Sequence, residues 1–313
     1  MYTYYFHGVR VQSEIPLGFE QESSYAIKTD AVDLKYITSD QPPPPLSEPV
    51  WVSAETFPDG APHFTLHLYQ EQPLLNIPLT GRFLLQGDTV LMFLEPGAHP
   101  APYMIGKVFG LWLEWNDFPV LHGSCLKFGN CGVGLLGFSG MGKSTLSAAL
   151  WSRGCALITD DLIPLDAHPP HLVDPGIPIS RMWPDTAEQF IMSPQVLDRV
   201  HPNFLKVKVP NKLNGVSRFW DEPLPLGAIL ILERQTEDCD IAIEKIHSAG
   251  ALMELVRHSY HPDLVRTLGL QKKRMSTLAA LMGSVPVFRL SYTSGYDHLP
   301  AVCDKVFNHI KGL

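Results

Sequence analysis

Val133-Gly134-Leu135-Leu136-Gly137-Phe138-Ser139-Gly140-Met141-Gly142-Lys143-Ser144-Thr145 decides the fold. The apolar run Val133 to Leu136 predicts a buried strand, and Gly137 to Ser144 fits the pattern GxxxxGK[ST]. A helix is expected over Ser144 to Arg153, stopped by Gly154, and a second buried strand over Ala156 to Thr159. Strands joined by a crossover helix point to an α/β core. The loop has a chemistry of its own. Its glycines open backbone conformations closed to other residues and let the main chain approach a ligand closely. Successive N–H groups and the following helix N-terminus then attract phosphate. Gly137, Ser139, Gly140, Met141, Gly142, Lys143, Ser144 and Thr145 form the candidate cradle. Lys143 is expected to reach the β- and γ-phosphates and the Ser144 hydroxyl to ligate Mg²⁺.

Asp160 and Asp161 follow Lys143 by 17 and 18 residues, at the end of the strand Ala156 to Thr159. A parallel strand beside the loop strand would bring them to the carboxyl edge of the sheet, where ligands of open α/β sheets bind. Successive strand residues face opposite ways, so the two carboxylates are expected to divide their roles. One suits Mg²⁺ and the other a proton from an attacking hydroxyl.

Farther along, strands are expected over Val120 to Cys125, Gly227 to Leu232 and Val285 to Tyr292. Helices are expected over Gly250 to His258 and Leu299 to Lys311. Met104 to Trp115 carries apolar residues at helical spacing and predicts an amphipathic helix. The first 100 residues read as short strands (Tyr2 to Val11, Phe64 to Tyr69, Phe83 to Leu85, Val90 to Leu94) separated by turns at Pro58-Asp59-Gly60, Thr80-Gly81 and Gly87-Asp88. Pro42 to Pro45 is a stiff connector. The expected division is a β-rich region over 1–100, suited to substrate recruitment, and a phosphate-loop catalytic domain over 101–313.

Composition narrows the class. With 32 acidic and 24 basic residues the net charge is −8, which argues against a general nucleic-acid partner. Five cysteines, scattered and odd in number, fit reduced thiols rather than a disulfide framework. The start shows no signal-peptide pattern, and no span approaches the roughly 18 apolar residues of a membrane helix. A cytoplasmic protein without a membrane partner is the expectation.

His122-Gly123, the run GLLGFSGMGKST, Arg153-Gly154 and Thr159-Asp160-Asp161 together resemble the catalytic core of the HPr serine kinase/phosphorylase family, which is related to the phosphoenolpyruvate carboxykinase nucleotide fold. The likeness is specific over about residues 120 to 166. It implies an α/β phosphate-loop kinase core and ATP-dependent phosphorylation of a serine hydroxyl with ATP and Mg²⁺. Carried onto this sequence, it implies Asp160 as general base, His122 as its helper and Asp161 as a metal ligand beside Ser144. The family is hexameric, so a homo-oligomer is compatible with the resemblance. Its glycine-rich signature after the aspartates is replaced here by Val173 to Asp185, leaving the signature's metal-binding glutamate without a counterpart. Tyr5-Phe6-His7-Gly8-Val9 and Ser13-Glu14-Ile15-Pro16-Leu17 look more like the divergent HPr-kinase-like proteins, some of which phosphorylate a serine of a ribosomally made peptide, notably lasso-peptide precursors. The implied partner is therefore a peptide or protein bearing an acceptor serine.

Other groups carry weaker signals. Arg181, in a Pro/Gly-bounded segment read as a loop, could clamp phosphate oxygens or be a surface or ion-paired arginine. Lys206, Lys208 and Lys212 could neutralise a triphosphate, receive an acidic peptide or form a solvated basic face, and the same holds for Gln271 to Arg274. His168, His171, His258 and His261 lack the companions of a zinc site. Two other functions stay open: a kinase of a small hydroxyl compound, and a nucleotide-binding switch or ATPase that phosphorylates nothing.

Overall fold

The computed structural model describes residues 1–19, 32–57, 59–190, 197–200, 205–210, 212–213 and 216–313. Pro58 of the expected turn and the Lys212 side chain lie outside them. The protein is a mixed α/β structure.

Eight strands form the first sheet: β1 (Tyr2–Phe6), β2 (Val9–Ser13), β3 (Val32–Thr38), β4 (Trp51–Val52), β5 (Thr65–Tyr69), β6 (Gln72–Ile77), β7 (Gly81–Gln86) and β8 (Thr89–Leu94). Their order is β1-β2-β3-β8-β7-β6-β5-β4. The run Tyr2 to Val11 is two strands rather than one, because His7 and Gly8 both take positive φ and close a hairpin between them. Next comes a continuous helical stretch, α1 (Ala101–Tyr103), a π segment (Met104–Val108) and α2 (Phe109–Trp115). This stretch departs from the amphipathic expectation, since every residue from Phe109 to Glu114 is buried. The acid is tolerated inside because Arg274 meets its carboxylate at 2.5 Å.

The second sheet gathers β9 (Val120–Phe128), β10 (Cys131–Leu136), β11 (Ala156–Thr159), β12 (Leu162–Pro164), β13 (Leu172–Val173), β18 (Leu224–Gln235), β19 (Ala242–Ile246) and β20 (Val287–Thr293). Two small hairpins stand apart, β14 (Ile179–Met182) with β15 (Val207–Pro210), and β16 (Lys212–Leu213) with β17 (Val216–Ser217). The remaining helices are α3 (Lys143–Ser152), α4 (Pro184–Phe190), α5 (Ser248–Arg257), α6 (Pro262–Thr267), α7 (Gln271–Met282) and α8 (Leu299–Lys311). The main path of the second sheet is β11-β9-β10-β18-β20-β19. β10, β18 and β20 are mutually parallel, whereas β9 runs antiparallel to both β10 and β11. The expected parallel neighbour of the loop strand is therefore corrected. β11 points the same way as β10 but stands one strand away, with β9 between them.

Alternation along these strands feeds a layer on each face. Val133, Leu135 and Leu230 pack with Leu146 and Leu150 of α3 and Val302 and Val306 of α8. Leu136, Ile229 and Ile231 pack with Leu255 of α5 and Leu278 and Leu281 of α7. A third core joins the two sheets. Phe6, Leu34, Tyr36, Phe83 and Met92 of the first sheet share it with Met104, Phe109, Trp112, Val120, Leu162, Tyr260 and Leu264. Among the described residues no helix is long and apolar enough to cross a membrane.

Candidate active site

The loop from Gly137 to Gly142 joins the carboxyl end of β10 to the start of α3. Gly140 and Gly142 sit at φ +84° and +87°, in the left-handed region that a side chain disfavours. Gly142 has a second constraint, because a Cβ there would stand 2.9 Å from the Tyr292 hydroxyl. That hydroxyl donates to the Met141 carbonyl at 3.3 Å and fixes the loop from behind. The Lys143 ammonium folds back to donate to the Gly137 carbonyl at 2.6 Å. Burial lowers its pKa, while Asp161 opposes that shift. Thr145 Oγ1 lies 3.2 Å from Thr186 Oγ1, tying the first turn of α3 to α4.

Loop and aspartates open into one cavity of about 510 Å³. Lys143, Ser144 and Thr145 line it together with His122, Ser124, Asp160, Asp161 and Lys206. The arrangement depends on the antiparallel β9. A strand running against its neighbours brings its beginning to the edge where they end, so His122-Gly123-Ser124 stands between Gly137 and Asp160. Gly123 must lack a side chain because a Cβ would collide with the Leu135 carbonyl and the Leu136 side chain.

Asp160 is gripped at both oxygens. Ser124 Oγ donates to Oδ1 at 2.7 Å and the Arg181 backbone N–H to Oδ2 at 3.1 Å. Burial and the neighbouring Asp161 charge nevertheless raise its pKa. Asp161 goes the other way. Burial would raise it, but Arg181, with His122, Lys206 and Lys107, holds it well below the usual carboxylate range. The Arg181 guanidinium meets Asp161 Oδ2 at 2.7 Å. The two acids thus divide into a proton-avid and a persistently ionised carboxylate. Asp161 also adopts φ +69°, the backbone turn that lets two successive side chains serve one cavity.

Arg181 lies in β14, paired with β15, and not in a loop as its proline and glycine neighbours predicted. Its guanidinium is ion-paired to Asp161 and is not a free surface charge. His122 bonds through Nδ1 to the Asp161 carbonyl at 3.0 Å and not to the Asp160 carboxylate. A carbonyl only accepts, so Nδ1 carries the proton. Solvent reaches the ring through the cavity, yet the enclosing protein lowers its pKa to about 4, with Lys143 and Lys107 assisting and Asp161 opposing.

The basic groups divide. Lys206 lines the cavity, whereas Lys208 lies in β15 near Gly18, on the wall of another hollow. Arg274 is not a solvated charge. It is 3% exposed and ion-paired to Glu114 inside the protein. His258 faces Glu254 at 3.6 Å, and His261 accepts from Lys107 Nζ at 3.0 Å. His171 bonds through Nδ1 to the Asp166 carbonyl at 2.9 Å.

Sequence reasoning missed Ser124, Lys107, Arg234, Tyr292 and Tyr296. Ser124 had a signal, being two residues beyond His122 and hence on the same face of a strand. Arg234 and Tyr292 had one too, at the carboxyl ends of strands parallel to the loop strand. Lys107 had none, because its place depends on the π segment and on contacts with residues 154 positions away.

Ser144 and the two aspartates offer hard oxygen donors of the kind Mg²⁺ takes alongside substrate phosphates. Among the described residues no group of three His, Cys, Asp or Glu forms a self-sufficient metal cage. No family model and no curated protein matches the chain. Among solved structures the chain is similar to the Hpr(Ser) kinase/phosphatase from Coxiella burnetii, at 14% sequence identity and a TM-score of 0.32, over 61% of this chain and 95% of that one.

Proposed function

We propose that the protein is a phosphate-loop kinase that transfers the γ-phosphoryl group of ATP to a serine hydroxyl of a peptide or protein. The observation that carries this reading is the opening of the glycine-rich loop, Lys143 and Asp160 into one cavity, with Asp160 held at both oxygens by Ser124 and the Arg181 amide. Phosphoryl transfer asks for positioning and charge stabilisation rather than covalent chemistry, and these groups supply both.

Loop amides and Lys143 hold the phosphates, Lys143 exchanging the Gly137 carbonyl for phosphate oxygens. Asp160, whose pKa burial raises, takes the proton of the attacking hydroxyl. Asp161 stays ionised beside Arg181. Two carboxylates pushed apart in pKa mark a division between base and fixed charge. Ser144 and Asp161 would hold Mg²⁺, which supplies positive charge to the phosphate oxygens when bound. His122 orients Asp161 through its carbonyl and adds a donor to the cavity wall. The serine acceptor, and a ribosomally made precursor peptide of the lasso type as its carrier, are supported by the resemblance of His122-Gly123, the loop and Asp160-Asp161 to the HPr kinase core.

The test incubates the purified protein with Mg²⁺ and γ-labelled ATP in the presence of a serine-ended precursor peptide, an HPr-like protein or free serine. Label enters the peptide, and Asp160→Asn lowers the rate by about 100-fold or more. Label on free serine at a matching rate would make this a small-molecule kinase. Label released only as phosphate, with Asp160→Asn equally active, would replace the kinase by an ATPase or switch.

A further inference from the structure

The cavity has a second end that phosphoryl transfer does not use. Asp160 and Asp161 sit at the β11 side of the loop. On the other side, at the carboxyl ends of β18 and β20 and in the segment after them, the wall is made by Arg234, Tyr292, Tyr296 and Leu299. If the reacting phosphate faces Asp160, the rest of the nucleotide leaves the loop in the opposite direction, over these residues.

The chemistry there differs from that of the acidic end. Asp185, the carboxylate lining this part, is already engaged, accepting the Tyr296 hydroxyl at 2.9 Å. The Tyr296 ring is braced edge-on by Phe190 at 5.8 Å. Its hydroxyl lies 3.4 Å from Thr186 Oγ1, and Thr186 in turn reaches Thr145 on the helix that starts at the loop. The ring therefore stands at a fixed distance from the phosphate cradle. Arg234 is exposed at the end of β18, and its side chain has no hydrogen bond or ion pair among the described residues. Its Cδ lies 3.7 Å from where a Gly142 Cβ would be, immediately behind the loop. A free guanidinium plane near a braced aromatic ring suits a flat, polarisable heterocycle, which both groups bind by stacking.

We infer that the β18–β20 end of the cavity is a nucleoside subsite, with Arg234 and Tyr296 as its planar contacts. The inference rests on the proposed use of a nucleoside triphosphate and adds which residues hold its base and sugar.

Calorimetric titration with Mg²⁺-ATP and with Mg²⁺-tripolyphosphate separates the two ends of the ligand. Arg234→Ala and Tyr296→Leu should each weaken ATP by about tenfold or more and leave tripolyphosphate within about twofold. Unchanged tripolyphosphate binding also shows that the loop of each variant is folded. Tyr296→Phe keeps the ring and should retain ATP affinity, whereas Lys143→Ala should weaken both ligands. Equal loss of ATP and tripolyphosphate in Arg234→Ala overturns the subsite and makes Arg234 a phosphate contact. ATP affinity unchanged in both Arg234→Ala and Tyr296→Leu overturns it as well. Failure of the unsubstituted protein to bind either ligand overturns the nucleotide reading and the subsite with it.

Discussion

Replacing Arg274 by Met tests how the strand that carries His122 and Ser124 into the candidate site is held from beneath. Arg274 and Glu114 are 3% and 2% exposed in their side chains, and their 2.5 Å contact lies wholly inside the protein. The guanidinium also donates to the Tyr260 carbonyl at 2.6 Å, while the same Glu114 oxygen accepts the Val120 N–H at 2.8 Å. One ion pair thus ties together α2, α7, the Tyr260 segment and the first residue of β9. Arg274→Met leaves the Glu114 carboxylate buried with only an amide for company. Losing one partner of such a pair costs about 3 to 5 kcal/mol. A loss of about 4 kcal/mol changes the folded-to-unfolded ratio roughly a thousandfold and moves a urea midpoint by about 1 M or more. The sign of the pH dependence follows from Glu114, whose pKa burial already raises against Arg274. Without the cation it rises further, so the folded variant takes up a proton that the unfolded chain releases. The deficit relative to the parent is then smaller near about pH 5 than near about pH 8. Adding Glu114→Leu removes the stranded charge and should recover part of the loss. Urea denaturation followed by tryptophan fluorescence, with Trp112 and Trp115 on the same helix, reads all three proteins. A deficit under about 1 kcal/mol at pH 8, or one that grows on acidification, would refute the account.

Two further outcomes follow from the cavity. Ser124→Ala removes a hydrogen bond that favours the Asp160 carboxylate, so the pKa of the aspartate pair rises. Because the proposed base, Asp160, works ionised, the acid limb of the kcat profile should move to higher pH. A lower rate with the limb unmoved would contradict that role for Ser124. Gly142→Ala places a side chain at φ +87° and presses a Cβ toward the Tyr292 hydroxyl. It should cost at least about 1 to 2 kcal/mol of stability and weaken ATP binding. Tyr292→Phe in that background removes the contact but not the backbone strain, and should restore only part of both. Full restoration, or a single variant as stable as the parent, would show that the left-handed backbone is not required.

The legible parts of the sequence were those whose causes are local. Val133 to Thr145 announces strand, turn and helix through its residue types, and Ala156 to Thr159 emerges as a strand with the bounds expected of it. Pairing order was not legible, because the position of β9 between β10 and β11 is decided by which faces bury one another and not by its own residues. The helix over Met104 to Trp115 departed from its amphipathic reading for a related reason, since Glu114 is buried. A charge in an apolar helix reads as a solvated edge unless its partner, here 160 residues away, is known. Arg181 followed the same rule, since its strand exists through pairing with β15 and its proline and glycine neighbours carry no trace of that pairing.

The core shared by the two sheets bears on modularity. Met104, Phe109, Trp112, Val120 and Leu264 are dry because residues of the first sheet cover them. A chain begun at residue 101 would carry that apolar surface into water, where it would promote self-association. Grafting a different β-rich region onto residues 101–313 would call for a matching set of contacts at Phe6, Leu34, Tyr36, Phe83 and Met92. Exchange of the β-rich region among proteins of this architecture is accordingly constrained to change loops and rims while the buried seam is inherited intact.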